Sequence, residues 1–357
     1  MSDDRARPAP VRTATLAIPP TVLEQLETHG LPVSGTLDAV EDKLHAQVRS
    51  SHAFVDEVAR YLISAGGKRF RPLLVALTGY LGAPAADGDG QPPALVDAGV
   101  IVELVHLATL YHDDVIDEAA ARRGAASANA RWDNTVAILT GDYLFACASA
   151  LSADLGVEVT RIMSSTLAAL CEGQIREVQG SMSTQLPDVP TVDPTLEHYL
   201  DVVSGKTASL IATSCRYGAL LSGVDADGVE AVARYGWNVG MAFQLSDDIL
   251  DIASDHEDSG KTPGTDLKEG VRTLPVLYAL EDDLDGELTA LLDGGVPDDD
   301  QVARALELLR ASDVLDRSRD AAGAYVRDAV AELERFGDRP IVTALTRLAE
   351  YALDRTG

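Results

Sequence analysis

The segment of residues 98–111 most constrains the fold, because it is apolar on nearly every face that a helix could present. Only Glu103 and His106 interrupt it. A helix that is hydrophobic all round must be buried, so this segment predicts a helix in the middle of a bundle. From Gly35 onward, the chain rarely alternates apolar and polar residues at strand spacing. The sequence therefore predicts an all-α protein.

Clusters of proline and glycine divide this helical pattern. They predict loops over 83–93, 181–194 and 293–300. Between and around these loops, the pattern predicts helices over 68–82, 94–118, 132–154, 157–180, 195–222, 226–254, 272–284, 299–311, 313–336 and 339–355. Residues 1–35 are proline-rich, polar and without period, which predicts a poorly ordered segment. No change of composition marks a second domain, so residues 36–357 are expected to form one large helical bundle.

The charge of the chain limits its partners. It has 57 Asp and Glu residues against 29 Lys and Arg residues, for a net charge of −28. A surface this acidic repels a polyphosphate backbone, which argues against nucleic-acid binding and against anionic membranes. Three widely spaced cysteines form neither a zinc motif nor a disulfide framework, and they suit a reducing cytoplasm. The sequence shows no signal peptide and no uncharged apolar run of membrane-spanning length.

Two acidic clusters follow apolar runs and share the spacing DDxxD, in residues 111–117 (YHDDVID) and 244–251 (QLSDDILD). On a helix, aspartates four residues apart project from one face. Two carboxylates in apolar surroundings repel each other unless a cation lies between them. A hard divalent cation resolves the conflict, and Mg²⁺ is usual where a phosphate shares the site. A solvated helix end would explain one such cluster, but it explains two poorly.

Basic residues concentrate beside glycines in a chain with only five lysines. The motifs are GGKRFRP at 66–72, RRG at 122–124, SGKT at 204–207 and GKTPGTDLKEG at 260–270. Glycines let backbone N–H groups approach an anion, and Arg and Lys hold it. No arrangement of residues suggests a nucleophile. The sequence thus predicts a diphosphate substrate whose leaving group departs by electrostatic attraction.

Together these motifs, in this order and approximate spacing over residues 50–280, resemble the trans-isoprenyl diphosphate synthases. The resemblance implies a single all-α bundle of the isoprenoid synthase type around a central cavity, usually as a cytoplasmic homodimer. It implies a Mg²⁺-dependent, head-to-tail (1'-4) condensation of isopentenyl diphosphate with an allylic prenyl diphosphate. Contact with a membrane surface is expected only at product release.

The resemblance also implies roles for individual residues. About three Mg²⁺ ions would be held by four carboxylates, those of Asp113, Asp117, Asp247 and Asp251. The allylic substrate would contact Arg122, Lys206, Thr207, Gln244 and Lys261. Isopentenyl diphosphate would contact Lys68, Arg71, His106 and Arg123. Catalysis would depend on Asp113, Asp117, Lys206, Asp247 and Lys261. His106 has a second interpretation, as a satisfied core residue on an apolar helix.

Two small residues bear on product length. Ala108 and Thr109 lie five and four positions before Asp113, where aromatic residues stop chain growth early in the family. Their size favours a long-chain product such as a quinone side-chain precursor, with geranylgeranyl diphosphate synthesis as the alternative. A class I terpene cyclase would share the first acidic cluster but would not need the motif at 66–72. A non-catalytic subunit of a heteromeric synthase would lose motif residues, and none is obviously missing.

Overall fold

The computed structural model describes residues 20–83, 92–181, 192, 194–254, 263–283, 285–292 and 297–354. The chain divides into two compact units, and each is built from three separate stretches. Unit 1 comprises Met1–Ser165, Thr213–Ala233 and Arg335–Leu345. Unit 2 comprises Thr166–Ala212, Arg234–Glu334 and Thr346–Gly357. One domain over residues 36–357, with a central cavity, stays a prediction.

Almost all elements in the described part of the chain are helices, as the sequence predicts. Those of unit 1 are α1 (Pro20–Thr28), α2 (Val33–Gln47), α3 (Ala53–Ser64), α4 (Phe70–Gly79), α5 (Pro93–Ile116), β1 (Ala121–Arg122), β2 (Ala125–Ala126), α6 (Ala128–Arg131) and α7 (Asn134–Leu155). Those of unit 2 are α9 (Leu196–Val203), a π-helical turn (Ser204–Ala208), α12 (Thr265–Lys268), α13 (Leu274–Glu281), α14 (Glu287–Leu292), α15 (Asp299–Ala311) and α16 (Val314–Leu333). Residues of both units occur in α8 (Val157–Ser181), α10 (Ser209–Leu221), α11 (Ala226–Ala253), a 3₁₀ turn (Glu334–Phe336) and α17 (Pro340–Asp354).

The core of unit 1 forms around α5. Pro93 occupies its first turn, where a missing N–H costs no hydrogen bond, and Asp117 caps its C-terminal end. Between Leu95 and Leu107 nearly every side chain is buried, so the predicted central helix is confirmed. The helix packs against α7, α4 and α2. A chain segment that is apolar on nearly all faces thereby loses most of its contact with water.

Two helices, α5 and α7, are long and apolar enough to cross a bilayer by length and composition alone. The core helix of a soluble protein meets the same criterion, and 72% of the most apolar stretch of α5 is buried inside the structure. For α7 the buried share is 39%, so it keeps an exposed apolar face. The absence of a membrane span therefore stays a prediction.

Unit 2 buries its apolar residues around the C-terminal half of α11. Tyr199 of α9, Ala208 of the π-helical turn and Leu245 of α11 share one cluster with residues of α13 and α16. A second cluster joins Ile252 to α12, α14 and α15. Burial on this scale fixes α11, which carries the second acidic motif, from several sides.

The N-terminal prediction was wrong for residues 20–35. They contain α1 and the start of α2, because Val22, Leu23 and Leu26 recur at helical spacing and are buried. Residues 1–19 lie outside the described residues. So do 84–91, 182–191, 193 and 293–296, which fall within the predicted loops. A short antiparallel hairpin, in which Ala121 pairs with Ala126, was not predicted.

Candidate functional site

The structure separates the predicted site residues into two groups, one in each unit. Unit 1 holds Lys68, Arg71, His106, Ala108, Thr109, Asp113, Asp117, Arg122 and Arg123. Unit 2 holds Lys206, Thr207, Gln244, Asp247 and Asp251. Lys261 lies outside the described residues, so its predicted role stays a prediction.

The second half of α5 has one partly accessible face. It carries His106, Thr109, Leu110 and Asp113, whereas the intervening Leu107 and Ala108 are fully buried. Asp117, at the C-terminal end, is exposed, and its backbone N–H donates to the carbonyl oxygen of Asp113 at 2.8 Å. Seven residues of helix separate His106 from Asp113 by about 10 Å along this face. One face thus presents an imidazole and, two turns later, a pair of carboxylates.

The middle aspartate of the first motif differs from its neighbours. Asp114 is completely buried, and one of its carboxylate oxygens accepts a hydrogen bond from Nε of Arg122 at 2.6 Å. Burial raises the pKa of Asp114, although the contact with Arg122 opposes this rise. Arg122 is therefore fixed beside the acidic motif by Asp114, which leaves Asp113 and Asp117 as the carboxylates on the outer side of the helix.

Four guanidinium groups lie near His106, those of Arg69, Arg71, Arg122 and Arg123. The Nε atom of Arg71 is buried and has no hydrogen-bond partner in the described part of the chain. Burial lowers the pKa of Arg71 to about 10, and the charge of Arg123 adds to the decrease while Glu103 opposes it. Arg123, in the left-handed conformation, donates to the carbonyl oxygen of Leu62 at 3.2 Å. An unsatisfied buried donor beside a second cation is suited to an anion.

His106 is neutral in this environment. Burial and then the charges of Arg71 and Arg123 hold its pKa well below the usual range. A neutral imidazole keeps one N–H donor and one acceptor. No hydrogen bond to its ring is present among the described residues, so the interpretation as a satisfied core residue is not supported. Lys68, in the turn before α4, is exposed.

The two predicted wall residues differ in accessibility. Ala108 is completely buried, so it lines no open surface of unit 1. Thr109 is partly accessible, and its hydroxyl donates to the carbonyl oxygen of His106 at 2.8 Å. Its neighbour Leu110, to which the sequence analysis assigned no role, is also partly accessible. The role of Ala108 and Thr109 as wall residues stays a prediction.

In unit 2, Lys206 and Thr207 lie on the π-helical turn that interrupts the helix predicted over 195–222. Such turns occur frequently at functional sites. The turn packs backbone to backbone against α8, since a Cβ atom on Gly173 would lie 2.5 Å from the backbone nitrogen of Lys206. The ammonium group of Lys206 donates to the carboxylate of Glu177, one helical turn after Gly173. Close packing and this ion pair together fix the turn.

A chain of hydrogen bonds joins three elements of unit 2. The hydroxyl of Thr207 donates to Oε1 of Gln244 at 2.9 Å, and Nε2 of Gln244 donates to Oδ1 of Asp248 at 2.8 Å. The phenol of Tyr199 donates to Oδ2 of Asp248 at 2.5 Å. Asp248, the buried middle aspartate of the second motif, is thereby satisfied on both oxygens and orients α11.

Negative charge accumulates around this motif. Burial raises the pKa of Asp248 to about 7 and that of Asp266 to about 8, and the carboxylate of Asp251 contributes to both. The carboxylate of Asp251 also accepts from the backbone N–H groups of Thr265 and Asp266, at 3.1 and 3.2 Å. Carboxylates this close to one another, with oxygen atoms as the available ligands, fit a hard divalent cation.

No group of three or more His, Cys, Asp or Glu side chains forms a complete metal site in the described ranges. Mg²⁺ does not require one, because it is commonly bound by one or two carboxylates and completed by water and substrate phosphates. The aspartate pairs of both units fit this type of site. Asp113, Asp117, Asp247 and Asp251 as its ligands stay a prediction.

Sequence reasoning missed Asp266 and Glu177 in unit 2 and Glu41 and Glu103 in unit 1. Asp266 lies within the motif at 260–270, which was interpreted only for its basic residues. The other three pair with cations far away in the sequence, and such pairing leaves no local signal. The remaining lysines form ion pairs, Lys268 with Asp299 and Lys43 with Asp97.

Comparisons with known proteins agree with this geometry. Residues 52–309 match the sequence model of the family described as Polyprenyl synthetase. The chain is 46% identical to a nonaprenyl diphosphate synthase of Mycobacterium tuberculosis, over 89% of this chain and 92% of that protein. It is 34% identical to heptaprenyl diphosphate synthase component 2 of Bacillus subtilis, over 88% of this chain and 86% of that protein.

A solved structure shares the fold. It is geranylgeranyl pyrophosphate synthase from Corynebacterium glutamicum complexed with calcium and isoprenyl diphosphate, with a TM-score of 0.79 and 39% identity over 95% of this chain and 98% of that chain. The all-α fold is therefore confirmed as that of the isoprenoid synthases. Fold, motif geometry and sequence similarity agree that this chain is a prenyltransferase of the polyprenyl synthetase family.

Proposed function

We propose that the chain condenses isopentenyl diphosphate with an allylic prenyl diphosphate, head to tail (1'-4), and repeats the step to build a long-chain product. The observation that carries this proposal is the accessible face of α5. The charges of nearby arginines surround His106, and Asp113 follows about 10 Å along the helix, with Asp117 one turn beyond it. Two anionic groups of different kinds suit these positions, one held by guanidinium groups and one held through a metal.

The chain's own residues supply binding and orientation. Arg71, Arg123 and Lys68 hold the diphosphate of isopentenyl diphosphate, and neutral His106 donates a hydrogen bond to it. Lys206, Thr207 and Gln244 bind the allylic diphosphate, together with Arg122 and Lys261. The allylic C–O bond breaks, its electron pair leaves with the diphosphate, and the isopentenyl double bond attacks the resulting carbocation. Loss of a proton to the released diphosphate then restores the double bond.

About three Mg²⁺ ions would be held by Asp113, Asp117, Asp247 and Asp251. When bound, Mg²⁺ supplies Lewis-acid stabilisation of the charge that develops on the leaving diphosphate. The carboxylates of unit 2 support this assignment, because the negative charges of Asp247 and Asp251 help to raise the pKa of the buried Asp248, and a cation beside them would relieve this repulsion. We expect activity to require a divalent cation and to be lost with chelator.

Product length follows from the accessible face of α5. Thr109 and Leu110 are not aromatic, and the hydroxyl of Thr109 is satisfied by its own helix. A growing apolar chain therefore meets no unsatisfied polar group there. The similarity to nonaprenyl and heptaprenyl synthases supports a long-chain product. The similarity to a geranylgeranyl pyrophosphate synthase keeps that shorter product as the alternative.

The experiment that tests the function is incubation of the purified chain with Mg²⁺, radiolabelled isopentenyl diphosphate and farnesyl diphosphate, followed by chromatography. We expect products longer than geranylgeranyl diphosphate. A product that stops at geranylgeranyl length would establish the alternative. If no allylic primer is elongated, the synthase proposal is wrong, and a role as one component of a heteromeric synthase becomes testable by adding candidate second subunits.

We further propose a cytoplasmic homodimer that uses the exposed face of α7. Ile138 and Leu139 are 44% and 61% exposed, and Ala146 and Ala150 are exposed further along the helix, beyond Asp142. Exposed apolar patches on this scale mark interaction surfaces. Leu139→Arg should convert a dimer to a monomer in analytical ultracentrifugation. Tyr351→Arg, at another exposed apolar position, is the matched control and should leave the sedimentation coefficient unchanged.

A further inference from the structure

Arg69 lies between two residues of the proposed diphosphate clamp, but its own surroundings differ from theirs. Its side chain is only 4% exposed. Nε and Nη2 donate to the two carboxylate oxygens of Glu41 at 2.7 and 2.9 Å, and Nη1 donates to Glu103 at 2.9 Å. Nη2 and Nη1 also donate to the carbonyl oxygens of Ile63 and Gly66, at 3.1 and 3.4 Å. A guanidinium group has five N–H donors, and all five have acceptors here.

The backbone around Arg69 is folded over this guanidinium group. Arg69 adopts a left-handed conformation with φ of 46°, which a residue with a side chain adopts only when its surroundings enforce it. A Cβ atom on Gly67 would lie 3.0 Å from Nη1 of Arg69 and from Nη1 of Arg123. The turn of residues 66–69 therefore has one shape that fits, and Lys68 extends from it.

Glu103 has a second effect, on charge. It is 2% exposed on α5, and its negative charge opposes the lowering of the pKa values of Arg71 and Arg123 by burial. Without it, three guanidinium groups would lie close together in poorly solvated surroundings with Glu41 as the one counter-ion contacting Arg69. A buried charge that loses its partner is strongly unfavourable, so the guanidinium groups would move apart.

We infer that Arg69, Glu41 and Glu103 are positioning residues for the diphosphate clamp. This inference rests on the proposed function. The three residues join α2, the turn before α4, and α5, and they fix Lys68 and Arg71 in place without contacting the substrate. The basic motif thus contains two kinds of cation: Lys68 and Arg71 bind the anion, and Arg69 builds the turn that presents them.

The test is the kinetics of Glu103→Gln, with isopentenyl diphosphate and the allylic diphosphate varied separately. Displacement of the clamp by about 1 Å should raise KM for isopentenyl diphosphate roughly ten- to hundredfold. KM for the allylic substrate should change by less than about twofold, since its ligands are elsewhere. Titration calorimetry with isopentenyl diphosphate alone should show the same loss of affinity, which a loss of folded protein would not produce.

Asp97→Asn provides the matched control, because the ion pair between Lys43 and Asp97 also joins α2 to α5 but is partly exposed. It should leave both KM values unchanged. Glu41→Gln keeps Glu103 in place and serves as the second variant if Glu103→Gln does not fold. The inference is overturned if these folded variants keep the wild-type KM for isopentenyl diphosphate, or if Asp97→Asn raises it equally. An inactive wild-type protein would instead overturn the proposed function.

Discussion

The contact between Gly173 and the π-helical turn predicts that Gly173→Ala strongly slows the enzyme without unfolding it. The new Cβ atom would lie 2.5 Å from the backbone nitrogen of Lys206, whereas ordinary contacts begin near 3.4 Å. The turn must therefore move by about 0.9 Å, and it carries Lys206 and Thr207. A displacement of about 1 Å costs roughly a hundredfold in rate. This corresponds to about 2.7 kcal/mol in the activation barrier.

Single-turnover assays with farnesyl diphosphate and labelled isopentenyl diphosphate measure this loss, and circular dichroism checks the helix content. Gly323→Ala is the control, because the same added atom would lie 3.3 Å from the flexible end of Arg327 and 3.6 Å from Leu353. It should leave the rate unchanged and raise the unfolding free energy by about 0.5–1 kcal/mol. If Gly173→Ala keeps the wild-type rate, the packing of the turn does not position Lys206.

Three further changes have defined outcomes. Tyr199→Phe removes a hydrogen bond to the buried carboxylate of Asp248, so urea unfolding should show a loss of about 1.5–3 kcal/mol. Thr109→Phe should shorten the product on chromatography, because it fills the accessible face of α5. Burial alone would raise the pKa of Glu41, but hydrogen bonds from Arg69 and His45 lower it to about 2. The ionised carboxylate then stabilises the fold by about 3 kcal/mol above pH 4.5, and this contribution should disappear towards pH 2. The difference in unfolding free energy between wild type and Glu41→Gln should shrink accordingly.

The long helices could be predicted from the sequence because each has its own periodic signal. The predicted stretches 94–118 and 226–254 agree with α5 and α11 within two residues. Two short helices could not be predicted, because α6 and α12 have four residues each, too few for a periodic pattern. The first helix was missed because prolines before it resembled the start of a disordered segment, although its apolar residues are buried.

The site could be predicted only where a motif is local. The two DDxxD motifs and the basic motif place their residues within one helix or turn, so spacing alone was informative. No feature of the sequence distinguishes Arg69 from Arg71, since both are arginines of one motif, two positions apart. Their roles diverge because Glu41 and Glu103, remote in sequence, surround one and leave the other with an unpartnered Nε. Folding, not spacing, assigns these roles.

The interleaving of the two units has a consequence for biosynthesis. Unit 1 includes residues 335–345, and there Arg339 donates to the carbonyl oxygens of Leu81 and Tyr80, both at 2.9 Å. Ile341 and Leu345 of the same stretch are buried. A ribosome must therefore translate residues 335–345 before the first unit can close. Until then, unit 1 lacks the buried side chains of Ile341 and Leu345, and incompletely packed chains of this kind are prone to aggregate.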